Sequence, residues 1–308
     1  MKKKIIALSA LLIVFAATVS AAYAAPTKIE LGVEVTAEAA YVVNEDTGRV
    51  VYQKNADKKM YPASTTKIMS AALAMSMCED LEGTMVTVPY DIWVEFDGID
   101  ISNAGIHGGE VMSMGDLVHC MLIQSANEAA SAVASYFGRE EFIEAMNRKA
   151  RELGCTGTHF VNPHGLYNDE HYTTAKDLYL ITEWALSIPG FREITSMYSY
   201  TLHETNVHRE REIYSTIGMQ NSYSGYYTRY IKGIKTGTID ESGRCLVTSA
   251  ESGGMMFVGV FLADSTSCTI GGLKKGKTYY FSIRVRKNVG GINYYTTFGV
   301  PRKVTVTQ

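Results

Sequence analysis

The sequence predicts a mixed α/β protein with one sheet and several helices. Apolar, β-branched stretches lie near both ends of the region 40–262, and helical patterns fill the sequence between them. The chain has 308 residues, of which 46% are hydrophobic and 20% are charged, a composition typical of a globular chain of one large or two modest domains. We therefore expect a sheet whose edge strands come from distant parts of the sequence.

The first 24 residues are predicted to be an export signal. Lys2–Lys4 precede an apolar run, Ile5–Val19, and Ala22-Tyr23-Ala24 fits an A-x-A cleavage pattern. The alternative is an N-terminal membrane anchor, but the run is short for a span, which needs about 20 apolar residues. The sequence thus predicts an exported protein that acts outside the cytoplasm.

The secondary structure is predicted element by element from periodicity and turn signals. A β-hairpin is expected around the polar turn 45–48, with strands Ala40–Asn44 and Arg49–Gln53. Helices are expected where apolar residues recur at helical spacing or charges are few, at Thr65–Met77, Met114–Gln124, Glu128–Tyr136, Glu140–Leu153 and Thr174–Ser187. Three later strands are expected at Tyr230–Lys235, Cys245–Ala250 and Met255–Leu262.

The cysteines indicate a fold that does not depend on disulfides. Their number is odd, their spacing is wide and no C-x-x-C pair suggests zinc; they are Cys78, Cys120, Cys155, Cys245 and Cys268. We interpret those in apolar runs as small buried hydrophobic residues.

The first motif that can carry chemistry is Ser64-Thr65-Thr66-Lys67. Residues three apart on a helix share a face, so the Ser64 hydroxyl would lie beside the Lys67 amine. Near a helix N-terminus, the dipole would also stabilise a developing anion. A serine beside a base is the minimal activated nucleophile. Alone, the pattern fits a helix N-cap serine and a solvated lysine equally well, since a chain of this length holds about one S-x-x-K by chance.

Two further motifs lie at an expected helix junction and an expected strand end. In Ser125-Ala126-Asn127, the hydroxyl can relay a proton and the amide can hold a peptide group, although a capping serine and a turn asparagine give the same pattern. In Lys235-Thr236-Gly237-Thr238, the lysine attracts carboxylates and the glycine lets another backbone approach closely. Such a strand can bind an extended peptide, or it is an ordinary exposed strand end.

The ordered set S-x-x-K, S-x-N and K-T-G is the signature of penicillin-binding proteins and serine β-lactamases. The region from about Ala40 to Asp264 resembles the low-molecular-mass D-alanyl-D-alanine carboxypeptidases. Matching surroundings are Tyr61-Pro62-Ala63, His159–Leu166, His171–Ala175 and Gly233-Ile234. The resemblance implies a β-lactamase/transpeptidase-like fold, in which a helical subdomain accompanies the antiparallel sheet.

The resemblance also implies catalytic roles. Ser64 would attack the carbonyl between the two terminal D-alanines of a peptidoglycan stem peptide, and Lys67 would take its proton. Lysine normally titrates near 10.4, so burial and a nearby cation would have to depress its pKa. Ser125 would pass the proton to the leaving D-alanine, and Asn127 would hold the substrate amide.

The remaining implied roles concern binding. Lys235 and Thr236, followed by Gly237, would bind the terminal carboxylate, and the backbone N–H groups of Ser64 and Thr238 would form the oxyanion hole. β-Lactam antibiotics would acylate Ser64 because they resemble the terminal dipeptide. No cofactor, metal ion or nucleic acid partner is expected.

Three alternative functions are weighed against this one. A class A β-lactamase needs an E-x-x-L-N glutamate after the S-x-N motif, and the nearest match, beginning at Glu183, lacks the asparagine. A zinc D,D-peptidase could use His159, His164 and His171, but the chain has no H-E-x-x-H and these histidines match a structural segment of the serine family. A non-catalytic wall-binding protein is the third alternative.

The C-terminal residues 269–308 are predicted to be a short all-β tail resembling part of a fibronectin type III module. Tyr279, Phe281, Ile283 and Val285 alternate with polar residues or Tyr280, and Tyr279 resembles a tyrosine corner. The early strands of such a module are absent from the sequence, and we expect the catalytic domain, residues 25–268, to lack the last helix of its relatives. We expect this junction to lower both stability and activity.

Charge separates the three segments. The total of −3 divides into +3 for residues 1–24, −14 for residues 25–268 and +8 for residues 269–308. The basic tail could bind anionic wall polymers, an attraction that salt would weaken.

Overall fold

A five-stranded antiparallel sheet organises the fold in the computed structural model, which describes residues 35–264 and the short segments 278–281, 286–289, 292–295 and 302–305. Its strands lie in the order β2-β1-β9-β8-β7. They are β1 (Ala39–Asn44), β2 (Arg49–Lys54), β7 (Ile231–Ile239), β8 (Gly243–Ser252) and β9 (Met255–Asp264). The edge strands β2 and β7 are thus distant in sequence, as the pattern of the sequence predicted.

The N-terminal hairpin completes the sheet by pairing with its last strand. Strand β1 runs antiparallel to β9, with Tyr41 opposite Val260. On β9, Val258, Val260 and Leu262 are fully buried, the period of two expected for a strand that turns one face to the core. The sheet therefore depends on contacts between chain segments about 200 residues apart, such as Val43 with Val258.

All five predicted helices are present. They are α1 (Lys67–Met77), α2 (Met114–His119), α3 (Asn127–Tyr136), α4 (Arg139–Glu152) and α5 (Ala175–Leu186). A 3₁₀ turn, Ala63–Thr66, precedes α1, and a π turn, Cys120–Gln124, continues α2. Helix α5 begins where predicted because the Thr174 hydroxyl caps it by accepting a hydrogen bond from the Asp177 N–H at 3.0 Å.

Several short elements lie outside the sequence prediction. They are β3 (Met85–Thr87), β4 (Val111–Ser113), α6 (Phe191–Ser196), β5 (Ser199–Leu202), β6 (Arg211–Tyr214) and the 3₁₀ turns Val94–Phe96 and Gly218–Gln220. Each has three to six residues, too few to show a period. The hairpin β5–β6 and the loop before β4 matter for function, because both border the site described below.

The four described cysteines carry free thiols, in line with the expectation that disulfides do not hold this fold. Cys120, Cys155 and Cys245 are buried and Cys78 is half-buried. In the described part of the chain, no helix combines the length and the apolar character needed to cross a membrane.

The tail forms two short antiparallel strand pairs. Strand β10 (Thr278–Phe281) pairs with β13 (Arg302–Thr305), and β11 (Arg286–Val289) pairs with β12 (Ile292–Tyr295). The first lies within the stretch where alternation predicts a strand. The export signal, Cys268 and the junction after Asp264 lie outside the described residues, and the likeness to a fibronectin module stays a prediction.

Candidate active site

Ser64 and Lys67 meet at the start of α1. Ser64 lies in the 3₁₀ turn, half-buried, and Lys67 opens the helix, so that their side chains fall on one face. The distance from Lys67 Nζ to Ser64 Oγ is 3.0 Å. Ser64 opens into a cleft of about 580 Å³ and also lines an adjoining cavity of about 220 Å³. The contact expected from the S-x-x-K spacing is present.

Lys67 is fully buried in a site that suits a neutral amine. Besides Ser64 Oγ, its Nζ lies 2.7 Å from Asn127 Oδ1 and 2.8 Å from the His164 carbonyl oxygen. A neutral amine has two N–H bonds for the two carbonyl oxygens and one lone pair for the serine O–H. Burial, and then the Lys235 cation, lower the pKa of Lys67 well below its usual value, while the Glu128 carboxylate opposes this.

The S-x-N segment forms a tight turn between the π turn and α3. Ser125 is buried. Its backbone is left-handed, with φ of +65°, a conformation that serine rarely adopts. The Asn127 backbone N–H and its Nδ2 both donate to the Ser102 carbonyl, at 2.9 and 3.2 Å. Ser125 and Ser102 line the same cleft as Ser64. The second motif therefore joins the first, as the resemblance implied.

The K-T-G segment lies on the edge strand β7 and faces Ser64. A Cβ on Gly237 would lie 3.0 Å from the Pro62 oxygen and 3.1 Å from the Ser64 nitrogen, so a glycine permits this approach. Thr236, Gly237 and Thr238 all line the 580 Å³ cleft. The Thr236 hydroxyl lies 2.6 Å from that of Thr216, which sequence reasoning did not single out.

Lys235 is not among the residues that line the two cavities. Its side chain is fully buried, and its Nζ donates to the Thr236 carbonyl at 3.0 Å. Burial lowers the pKa of Lys235 to about 7.

Two buried histidines lie beside the segment that begins α1. His171 Nδ1 accepts from the Val161 N–H at 3.1 Å, so its Nε2–H donates to Thr66 Oγ1 at 2.9 Å. His164 Nδ1 likewise accepts from the Leu166 N–H at 3.2 Å. Burial lowers the pKa values of His164 and His171 to about 4 and about 3, which keeps both neutral. The structural role that the sequence suggested for them fits these contacts.

The side chain of Glu95 connects His164 with Arg139 at the start of α4. Glu95 Oε2 lies 3.3 Å from His164 Nε2, and Arg139 pairs with the same carboxylate at 2.5 Å. Burial would raise the pKa of Glu95, but hydrogen bonds from His164 and Arg139 outweigh it and lower the value to about 2. No local pattern links these three residues, which lie up to 69 positions apart.

Glu128 is a buried carboxylate next to the S-x-N motif. Its Oε1 accepts from the N–H groups of Ala104 at 2.6 Å and Ile106 at 3.4 Å, while its Oε2 has no hydrogen-bond partner among the described residues. Burial raises its pKa, although these N–H groups oppose the shift. It supports the loop that carries Ser102. An acid within the otherwise small and apolar run of α3 was the sequence signal that could have revealed it.

Comparison with solved structures places this fold in the class of the DD-transpeptidases. The Streptomyces K15 DD-transpeptidase superposes with a TM-score of 0.69 at 29% identity, over 76% of this chain and 92% of that one. Penicillin-binding protein D2 from Listeria monocytogenes, solved in an ampicillin-bound form, gives 0.61 at 28% identity, over 76% and 92%.

The chain belongs to the D-alanyl-D-alanine carboxypeptidase family, peptidase S11, whose sequence profile matches residues 22–266. D-alanyl-D-alanine carboxypeptidase DacF of Bacillus subtilis is 31% identical over 234 residues, which are 75% of this chain and 58% of that protein. The chain thus spans about three fifths of the length of the first curated relatives it matches. The family predicted from the three motifs is confirmed.

Proposed function

We propose that this protein is a serine D-alanyl-D-alanine carboxypeptidase. It removes the terminal D-alanine from peptidoglycan stem pentapeptides through an acyl-enzyme on Ser64. The observation that carries the proposal is the contact between Ser64 Oγ and a fully buried Lys67 amine, at the point where the three motifs share one cleft. Membership of the family supports the same activity.

Acylation begins with proton transfer inside this contact. Ser64 Oγ gives its proton to the Lys67 lone pair as the oxygen bonds to the carbonyl carbon of the penultimate D-alanine. Asn127 Oδ1 and the His164 carbonyl hold the amine so that its lone pair faces the hydroxyl. The tetrahedral oxyanion is bound by the backbone N–H groups of Ser64 and Thr238, which Gly237 allows to lie close together.

Collapse of the intermediate requires a proton on the leaving amine. Ser125 lines the same cleft as Ser64 and relays the proton to the departing D-alanine. Lys235 and Thr236 bind the terminal carboxylate, and the arriving negative charge raises the pKa of Lys235 above 7, which favours its cationic form. Asn127 holds the substrate amide, and water then hydrolyses the ester on Ser64.

The same geometry supports acylation by β-lactams. A β-lactam presents a strained amide in place of the terminal peptide bond, so Ser64 attacks it and the ring opens without release of a leaving group. The ampicillin-bound Listeria relative, which shares the fold, supports this assignment. A β-lactamase is the alternative, yet Glu183 hydrogen-bonds Tyr179 at 3.2 Å and lines neither cavity.

The activity is tested by D-alanine release from an N-acylated Lys-D-Ala-D-Ala peptide. We expect steady release by the wild type and none by Ser64→Ala, with a penicillin adduct on Ser64 in mass spectrometry of the wild type alone. A chromogenic cephalosporin distinguishes the alternatives, because a carboxypeptidase turns it over only once or very slowly. Rapid turnover would favour a β-lactamase, and a folded protein with neither activity nor adduct would indicate a wall-binding protein.

We also propose that the protein is exported and that its basic tail binds anionic wall polymers. The eight lysines and arginines in residues 269–308, with no acid among them, support this partner. Co-sedimentation with purified cell walls should be strong at low salt and weak at high salt, because screening shortens the range of the attraction. A chain ending at 268 is the control, and salt-independent sedimentation would contradict the proposal.

A further inference from the structure

Two imidazoles and a carboxylate converge outside the residues that line the Ser64 cleft. The donor atoms of His107, Glu110 and His208 lie within 4.8 Å of one another, the only such group of three among residues 35–264. His107 Nδ1 lies 2.9 Å from His208 Nε2, which lies 4.0 Å from Glu110 Oε2. None of the three lines either cavity described above.

The carboxylate is fixed in place with one oxygen available. Glu110 is fully buried, and its Oε1 accepts from Thr205 Oγ1 at 2.9 Å and from Arg211 at 3.1 Å. Its Oε2 accepts the His107 backbone N–H at 2.9 Å. Each carboxylate oxygen has two acceptor positions, so Oε2 keeps one on the side of the imidazoles. Contacts of this kind orient ligands around protein-bound metals.

The backbone turn between His107 and Glu110 brings these two residues together. The Glu110 N–H donates to the His107 carbonyl at 3.1 Å and closes a tight turn. Gly109 has φ of +79°, and a Cβ on Gly108 would lie 2.6 Å from the Tyr90 oxygen, so both positions require glycine. The sequence His107-Gly108-Gly109-Glu110 thus positions two of the three candidate ligands.

The third candidate ligand, His208, is positioned by the nearby side chain of Asn206. Asn206 accepts from the Val111 N–H at 2.8 Å and donates to the Gly109 carbonyl at 2.9 Å. It thereby fixes the β5–β6 connection, and with it His208, against the turn. The three donors are therefore positioned before any ion arrives, which lowers the cost of ordering a site.

We propose that His107 Nδ1, Glu110 Oε2 and His208 Nε2 bind one Zn²⁺ ion. Two histidines and a glutamate form a known donor set for zinc, with Zn–N distances of about 2.0–2.1 Å and therefore tetrahedral donors roughly 3.3 Å apart. The separations here bracket that value. Without metal, the His107 Nδ1–H is shared between His208 Nε2, 2.9 Å away, and the Gly105 carbonyl, 3.1 Å away. The ion would replace this proton and accept a lone pair from each of the two ring nitrogens. Arg211 contacts the other carboxylate oxygen and leaves the donor position open.

The ion would act as a clamp rather than in catalysis. His107 lies on the loop that also carries Ser102, whose carbonyl holds Asn127. His208 lies on the β5–β6 connection, and β6 leads into Thr216, which also lines the cleft. Zinc would thus tie together two segments that border the substrate cleft. Exposed His107 gives the ion an entry path.

The test uses the full chain stripped with a chelator and titrated with zinc chloride in a calorimeter. We expect one ion per chain and a rise in melting temperature with zinc. His107→Ala and His208→Ala should each weaken binding by at least about tenfold, since loss of an outer-shell partner alone costs 10–100-fold. His203→Ala is the matched control, because His203 is exposed on the same connection and contacts Asp116 instead.

Cobalt gives a second readout that folding defects do not imitate. Bound Co²⁺ should show the visible absorption of a four- or five-coordinate site in the wild type and in His203→Ala, and not in the other two variants. Melting curves without metal establish that each variant folds. Unsaturable zinc binding by the wild type, or equal binding by the His107→Ala/His208→Ala double variant, would overturn the proposal. Ser64 acylation by a penicillin in metal-free protein is a separate measurement and is expected to persist.

Discussion

Replacing Lys67 with methionine is expected to slow acylation of Ser64 by about 10²–10⁴-fold, the usual contribution of a general base. Methionine fills similar space but supplies no lone pair for the Ser64 proton. Lys67→Arg is the sharper test, because a guanidinium keeps the charge and the hydrogen-bond donors yet cannot act as a base in a protein. The rate is measured with a fluorescent penicillin in stopped flow, with circular dichroism as the folding control.

The pH dependence follows from the lowered pKa of Lys67. Only the neutral amine accepts the proton, so the wild-type acylation rate should rise with pH through the depressed pKa of Lys67. Glu128→Gln should shift this rise to lower pH, because the Glu128 carboxylate raises the pKa of Lys67. Near-wild-type acylation by Lys67→Arg, or a shift to higher pH in Glu128→Gln, would contradict the assignment of Lys67 as base.

The residues that the sequence could identify are those in short motifs on regular elements. Ser64 and Lys67 are three apart on one helical turn, so their contact follows from helix geometry. The close approach of another backbone to Gly237 was predicted from the K-T-G pattern on a strand. In each case the information lies within a few residues, and the structure then brings the motifs together by pairing β1 with β9 and β8 with β7.

The residues that the sequence could not identify act across long separations or through the backbone. Lys67 is held partly by the carbonyl of His164, and Asn127 by the carbonyl of Ser102, and a backbone carbonyl leaves no mark in the residue type. His107 and His208 are 101 positions apart and meet only because the β5–β6 hairpin folds beside the loop. Lys235 is fully buried and lines neither cavity, which its place in the K-T-G motif did not indicate.

The second large effect is expected at Gly165, which lies against the residue before the nucleophile. Its φ is +89°, and a Cβ there would lie 1.8 Å from the Ala63 carbonyl oxygen and 2.8 Å from Thr66 Oγ1. Gly165→Ala therefore combines left-handed backbone strain of roughly 1–2 kcal/mol with overpacking of roughly 1–3 kcal/mol. We expect the free energy of unfolding to fall by about 2–5 kcal/mol in urea denaturation.

Gly154→Ala is the matched control, because Gly154 has φ of +83° and no atom within 4 Å of the added Cβ. It should lose only the strain, about 1–2 kcal/mol, and acylate at the wild-type rate. In Gly165→Ala, the carbonyl of Ala63 must move, and Ser64 with it, so that the folded fraction should also acylate more slowly. Equal losses of stability in the two variants, with unchanged acylation in both, would show that the Gly165 contact does not position the nucleophile.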